Sequence, residues 1–183
     1  MFDYILGLPM HALVIHAVVV LVPLGSLIAL AYAARPVWRP VLRWPLAAGG
    51  VISGVTAFVA AESGEALERR VIAVRQSTTN LQLLAEHTEW GGRARIVCLV
   101  FMVVCLVAAF LVRGRTSTPA TTGSSTRSPN RSSTRLTETA SPASRSAVEL
   151  PLVVLLAVAA LAALVVVAIT GHAGAVVTWN GLG

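Results

Sequence analysis

The stretch Leu8-Pro9-Met10-His11-Ala12-Leu13-Val14-Ile15-His16 opens a long apolar segment that continues to Ala34 and holds two of the four histidines. A helix of about 20 apolar residues crosses a bilayer core roughly 30 Å thick, so segment 10–34 predicts a first membrane span. A cleaved signal peptide is the competing interpretation. It is disfavoured because signal peptides begin with positive charge, whereas residues 1–9 carry Asp3 and no Lys or Arg.

The composition indicates that the whole chain belongs in a membrane. Of its 183 residues, 56% are hydrophobic and 12% are charged, and the mean hydropathy is +0.78. A soluble domain of this size could not bury that much apolar surface. The net charge of +6 comes from arginines that flank apolar segments, where they anchor helices to lipid headgroups. The charge therefore predicts contact with the lipid bilayer and no nucleic-acid partner.

Three further apolar segments predict three further spans, at about 44–61, 91–112 and 150–170. The second of these is rich in small residues. Gly50 and Gly54 stand four positions apart in it, a spacing that lets helix backbones approach closely. The predicted fold class is therefore an all-α polytopic integral membrane protein, a four-transmembrane-helix bundle.

Two polar segments separate the spans. Residues 62–90 are a predicted loop with short stretches of helical composition, and together with the first three spans they make up a membrane domain, 1–113. Residues 114–146 are rich in Ser, Thr, Pro and Arg and cannot bury enough apolar surface to fold, so they predict a disordered linker. Residues 147–183 hold the fourth span and a tail.

The distribution of arginines predicts the orientation. Nine of them lie in the loop between spans one and two and in or beside the linker, and five lie on the opposite side of the bundle. Because the side with more positive charge usually faces the cytoplasm, the linker is predicted to be cytoplasmic and both termini to be outside. The predicted location is the bacterial inner membrane, which is the cell membrane, with a multi-pass topology.

This topology brings the ionisable residues that could form a site to one face of the membrane. The outer ends of the spans carry His11, His16, Glu62, His87 and His172. With a helix starting near Met10, His16 lies about 9 Å along the axis, at a depth where polar groups usually face the bundle and have a partner. His11 is about 140° away around the helix, so it is predicted to be a cap or an interfacial residue.

Three interpretations of these residues stay open. In the first, they form a polar network that only fixes helix packing. In the second, His16 binds haem b as an axial ligand together with His87 or His172, as in a membrane redox protein with a redox partner. In the third, the histidines and Glu62 bind a divalent metal ion, with His11 as an alternative ligand.

The motifs of common enzyme classes do not occur in the sequence, which has no nucleophile constellation, phosphate-binding loop or dinucleotide motif. The sequence therefore favours a non-enzyme without deciding the question. The spans also lack the charged midplane residues that transport pathways use. A homo-oligomer, or a membrane scaffold that binds a partner through the 114–146 linker, stays open.

Four stretches carry the pattern of one family: residues 7–20, 62–68, 86–87 and 171–177. The resemblance extends over the chain except for the linker. The first is similar to a Leu-Pro-x-His-x-Leu-x-x-His opening, and the last to a Gly-His-x-Gly motif. In these stretches the chain resembles a bacterial membrane family catalogued as domain of unknown function 2231. The resemblance implies a four-span membrane protein with no assigned activity. Some relatives of that family stand beside redox domains, which favours the haem interpretation by association only.

Overall fold

Four long helices make up most of the computed structural model, which describes residues 4–5, 8–74, 78–112 and 142–180. The helices are α1 (Met10–Ala34), α2 (Arg39–Val74), α3 (Thr78–Leu111) and α4 (Pro142–Asn180). A short 3-10 helix, Pro36–Trp38, joins α1 to α2. Before α1, strands β1 (Tyr4–Ile5) and β2 (Leu8–Pro9) pair antiparallel.

Four segments are long and apolar enough to cross a membrane: Leu13–Ala34, Pro36–Arg69, Ala85–Leu111 and Val148–Val176. Each lies in one of the four helices, and the second also includes the short 3-10 helix before α2. Helices satisfy their backbone hydrogen bonds internally, which is why apolar sequence of this length folds as helix in lipid. The predicted all-α, four-helix membrane fold is confirmed.

Helices α2 and α3 run further than the sequence predicts. The segment 62–90 was expected to be a polar loop with helical stretches at 65–75 and 81–89; in the structure the helices of the spans continue into it, α2 to Val74 and α3 from Thr78. An ion pair explains part of the difference, because Arg95 of α3 donates to Glu62 at 2.9 Å and to Glu65 at 3.4 Å. Helix that packs on a neighbour in this way persists where the sequence alone would be marginal.

The predicted linker, 114–146, lies mostly outside the described residues. Its last part, 142–146, belongs to the first turns of α4, which begins at Pro142. Proline is well tolerated in the first turn of a helix because its missing N–H has no partner there anyway. The helix therefore starts earlier than the predicted fourth span.

Small residues of α2 lie against both neighbouring helices, as the Gly-rich pattern predicts. A Cβ atom added at Gly50 would lie 2.5 Å from Cβ of Cys105 on α3, and one added at Gly54 would lie 2.8 Å from Sδ of Met102. On the other side of α2, a Cβ added at Gly49 would lie 3.3 Å from Cα of Gly25 on α1. These close approaches are the kind of packing by which helices associate in lipid.

The two helical hairpins, α1–α2 and α3–α4, repeat one pattern of burial. Three buried residues of α1 and three of α3 match when positions are counted along the chain from His11 and from His87. The matching pairs are Val22 and Cys98, Ala29 and Cys105, and Tyr32 and Ala108. Buried residues of α2 and α4 precede Gly64 and Gly174 in the same way; the pairs are Leu46 and Leu156, Ser53 and Ala163, and Ala57 and Val167. Most pairs differ in residue type, so the repeat lies in the arrangement of the helices.

Candidate functional site

One end of the bundle holds an imidazole that is fixed by hydrogen bonds to the next helix. His11 lies in the first turn of α1, and its Nδ1 is 3.1 Å from the carbonyl oxygen of Ala60 and 3.1 Å from Oγ of Ser63, both on α2. The Ser63 hydroxyl itself donates to the Ala60 carbonyl at 2.9 Å. A carbonyl only accepts, so Nδ1 of His11 carries the proton and Nε2 keeps its lone pair.

Gly64 provides the surface on which the His11 ring rests. A Cβ atom at this position would lie 2.9 Å from Cε1 of His11, closer than side-chain carbons pack. The ring therefore lies directly on the α2 backbone, one helical turn after the carbonyl that binds it. The segment Ala60–Gly64 acts as one unit that sets both the position and the tilt of the imidazole.

His87 stands on α3 in an equivalent arrangement. A Cβ atom at Gly174 of α4 would lie 2.9 Å from Cε1 of His87, so this ring also rests on a glycine of the following helix. The backbone carbonyl of Thr170, one turn before Gly174, lies next to the ring. Nδ1 of His87 is buried and completes no hydrogen bond within the described residues. The Thr170 hydroxyl donates to the carbonyls of Val166 at 2.8 Å and of Trp90 at 3.3 Å, which ties α4 to α3 beside the ring.

The two imidazoles meet between the hairpins. The ring centroids of His11 and His87 are 6.4 Å apart, and the ring planes make an angle of 76°. Each hairpin contributes one imidazole, one glycine on which the ring rests and one backbone carbonyl next to it. We call His11, His87, Gly64 and Gly174 the histidine site, and this end of the bundle the histidine end.

The other predicted site residues do not join this pair in the structure. The side chains of His16 and His172 are exposed on α1 and α4. The Glu62 carboxylate is 53% exposed and accepts a hydrogen bond from Arg95 at 2.9 Å. Of the predicted site residues, the structure pairs the ring of His11 with that of His87 and places Glu62 in an ion pair with Arg95.

The site offers few donors for a metal ion. Within the described residues, no group of three or more His, Cys, Asp and Glu side chains is arranged to hold one. A structural zinc site takes four protein ligands, and a catalytic one takes three. The donor set of the histidine site is thus two imidazole nitrogens, which limits the groups that it can bind.

The pKa of His11 is lowered below its ordinary value of 6.5. Burial is the main cause, since it disfavours the charged imidazolium; the Ala60 carbonyl opposes the shift, and the neighbouring His87 adds to it. Neutral imidazole is the form that binds metal ions. The fold therefore keeps His11 in its ligand-competent form near neutral pH.

We expect the fold to lose stability as the pH falls below about 6.5, the unfolded value for histidine. The pKa of His11 is lower in the folded protein than in the unfolded chain, so the unfolded chain binds a proton at a higher pH. The free energy of unfolding therefore decreases as the pH falls from about 6.5 to the pKa of His11 in the folded protein. The measurement is thermal unfolding in detergent from pH 8 to pH 5. His11→Asn should show a flatter profile; an unchanged profile would remove His11 as the cause.

The fold and the site define a multi-pass α-helical membrane protein with a histidine pair at one end of the bundle. The chain belongs to the family described as "Predicted membrane protein (DUF2231)", whose pattern matches residues 7–182. The resemblance noted in the sequence is thereby confirmed. No curated protein and no solved structure matches the chain.

The roles of Gly64, Ser63 and Gly174 were not predicted from the sequence, and His11 was predicted to be a cap or an interfacial residue, with a metal-ligand role only as an alternative. Two signals were present. A helix that starts at Met10 places His11 in its first turn, and His87 and Gly174 stand in two of the stretches that carry the family resemblance. What was not visible is that α2 extends past residue 61 and so brings Ala60–Gly64 beside His11.

Proposed function

We propose that the histidine site binds a b-type haem with His11 and His87 as axial ligands, and that the protein is a membrane redox protein. The observation that carries the proposal is the separation of the two rings, 6.4 Å between centroids. Imidazoles bind metal ions through a nitrogen about 2 Å from the metal, so two rings on opposite sides of one ion hold their centroids roughly 6 Å apart. The pair thus has the spacing of two ligands to a single metal atom.

The number of donors supports haem over a bare divalent ion. Haem brings four equatorial nitrogens and needs at most two ligands from the protein, which is what the site supplies. Zinc would need a third or fourth protein ligand, and the described residues offer no cluster of that size. A linear two-coordinate copper(I) ion is the alternative that this donor set also suits.

The hydrogen bonding of His11 also supports a ligand role. A histidine that binds a metal usually donates its other ring N–H to a carbonyl or a carboxylate, which fixes the tautomer and the ring orientation. Nδ1 of His11 donates to the Ala60 carbonyl at 3.1 Å, which leaves Nε2 as the ligand atom. A bound haem supplies one-electron chemistry; Ala60, Ser63 and Gly64 hold the imidazole that would set its position.

The test is an absorption spectrum of the detergent-solubilised full chain, oxidised and then reduced, from cells supplied with haem precursor and metals. We expect a Soret band that shifts on reduction, with iron bound in a stoichiometric amount. His11→Ala and His87→Ala should each remove the six-coordinate spectrum, because each deletes one axial ligand. His16→Ala and His172→Ala are the matched controls, and their spectra should be unchanged.

The contradicting results are specific. A wild-type protein with neither a Soret band nor stoichiometric metal would reject the site and favour a purely structural histidine pair. Stoichiometric copper without a Soret band would replace haem by the copper alternative. Loss of the band in His16→Ala but not in His11→Ala would return the ligand role to His16, the residue that the sequence analysis favoured.

A further inference from the structure

The opposite end of the bundle, which we call the arginine end, carries three arginines spaced four residues apart: Arg35, Arg39 and Arg43. Arg39 stabilises the fold. It is only 7% exposed, pairs with Glu149 of α4, and donates through Nε to the Tyr32 carbonyl at 3.3 Å. Its charge is therefore balanced within the bundle, and it is not free to bind an external anion.

Arg43 stands one turn further along α2, at the seam with α3. Its guanidinium carbon lies 5.5 Å from the centroid of the Trp44 ring and 5.6 Å from that of Phe110. These two rings are themselves packed edge to face, with centroids 6.4 Å apart. Aromatic rings hold a guanidinium in place but do not neutralise it. The structure shows no carboxylate bound to Arg43 within the described residues, and its buried Nε completes no hydrogen bond there.

The surroundings of Arg43 are those of a membrane interface. Trp44 is 65% exposed and Phe110 54% exposed. Below Phe110, successive turns of α3 expose Val107 and Val103 to the lipid side. A positive charge held by aromatic rings at the end of an exposed apolar face of α3 complements a molecule with an anionic head and alkyl chains. Exposed Arg35, whose guanidinium lies over Trp38, adds positive charge at the same end.

We propose that Arg43, with Trp44 and Phe110, binds the phosphate of an anionic phospholipid whose chains lie along the exposed apolar face of α3 at Val107 and Val103. Guanidinium groups match phosphate oxygens with paired hydrogen bonds. Basic groups at helix ends are a known means of selecting anionic headgroups. The site is separate from the histidine site and does not depend on haem binding.

The test compares lipid retention by the full chain in detergent, measured by native mass spectrometry with phosphatidylglycerol and with phosphatidylcholine of the same chain length. Wild-type protein should retain phosphatidylglycerol preferentially. Arg43→Gln should weaken its apparent affinity roughly fivefold, the effect of one interfacial arginine. Arg93→Gln is the matched control: Arg93 also lies over a tryptophan, Trp90, at 4.6 Å, but its charge is paired with Glu89.

Three outcomes would overturn the proposal. These are equal retention of the two lipids by wild-type protein, equal phosphatidylglycerol binding by wild type and Arg43→Gln, and an equal loss in Arg93→Gln. Added inorganic phosphate should not displace the lipid; displacement would mean that the free anion, not the lipid, is the ligand. If Arg43→Gln fails to fold, the wild-type comparison of the two lipids can still overturn the proposal, because it needs no variant.

Discussion

Replacing Gly50 by alanine should destabilise the protein by about 1–3 kcal/mol, the usual cost of overpacking a well-packed core. The added Cβ would lie 2.5 Å from Cβ of Cys105 and 3.2 Å from its Sγ. The Cys105 Cβ cannot rotate away because it is bonded directly to the α3 backbone. The α2 and α3 helices must therefore separate, which also opens the contacts around Met102. The measurement is thermal unfolding in detergent followed by circular dichroism.

Gly91→Ala is the matched control for this substitution, since Gly91 also lies within a helix. A Cβ added at Gly91 meets no atom of the described chain within 4 Å. Alanine favours helix over glycine by roughly 0.5–1 kcal/mol, so Gly91→Ala should be neutral or slightly stabilising. Equal destabilisation by both substitutions would show that the close approach at Gly50 is not what stabilises the bundle.

The number of spans could be predicted because hydropathy is a sum over a whole segment. The lengths of α2 and α3 could not, because the polar turns of α2 beyond residue 61 are held by contacts between helices. Arg95 reaches Glu62 and Glu65 across the α2–α3 seam, and sequence does not show which polar residues will face one another. The orientation of the bundle in the membrane stays a prediction.

The site was harder to predict for a different physical reason. Helix α1 is apolar nearly all round, as expected of a helix that meets lipid on one side and other helices on the other. Periodicity therefore could not tell which face of α1 enters the bundle. His16 was favoured because it lies deeper in the membrane, whereas in the structure His11 bonds to α2 and the side chain of His16 is exposed. The ligand roles of His16 and His172 stay predictions.

The structural repeat of the two hairpins could not be predicted from the sequence for a related reason. Buried positions at equal distances from His11 and His87 are filled by different residues, such as Tyr32 and Ala108. The core of a membrane protein requires small or apolar residues at such positions but tolerates many different residue types there. The arrangement of each imidazole on a glycine, Gly64 or Gly174, is common to both hairpins. A site built from one such unit per hairpin suits a ligand that is approached from two opposite sides, as the haem proposal requires.

Replacing Glu149 by leucine should cost about 3 kcal/mol, near the lower end of what breaking a buried ion pair costs. The pair is asymmetric, since Arg39 is 7% exposed and Glu149 is 40% exposed. Removing the carboxylate leaves a buried guanidinium without its counter-charge, which is the expensive case. Arg39→Met instead leaves a carboxylate that water can reach, and its cost should be smaller although it also removes the hydrogen bond to the Tyr32 carbonyl.

The double variant Arg39→Met with Glu149→Leu separates charge from packing at the arginine end. Apolar replacement of both members of a buried pair is often neutral or stabilising, so the double variant should be more stable than Glu149→Leu alone. Thermal unfolding of the four proteins completes a double-mutant cycle, and a coupling energy above about 1 kcal/mol is expected for groups in direct contact. Additive losses would mean that Glu149 does not balance the charge of Arg39, and Arg39 would then be a second candidate for the anionic lipid assigned to Arg43.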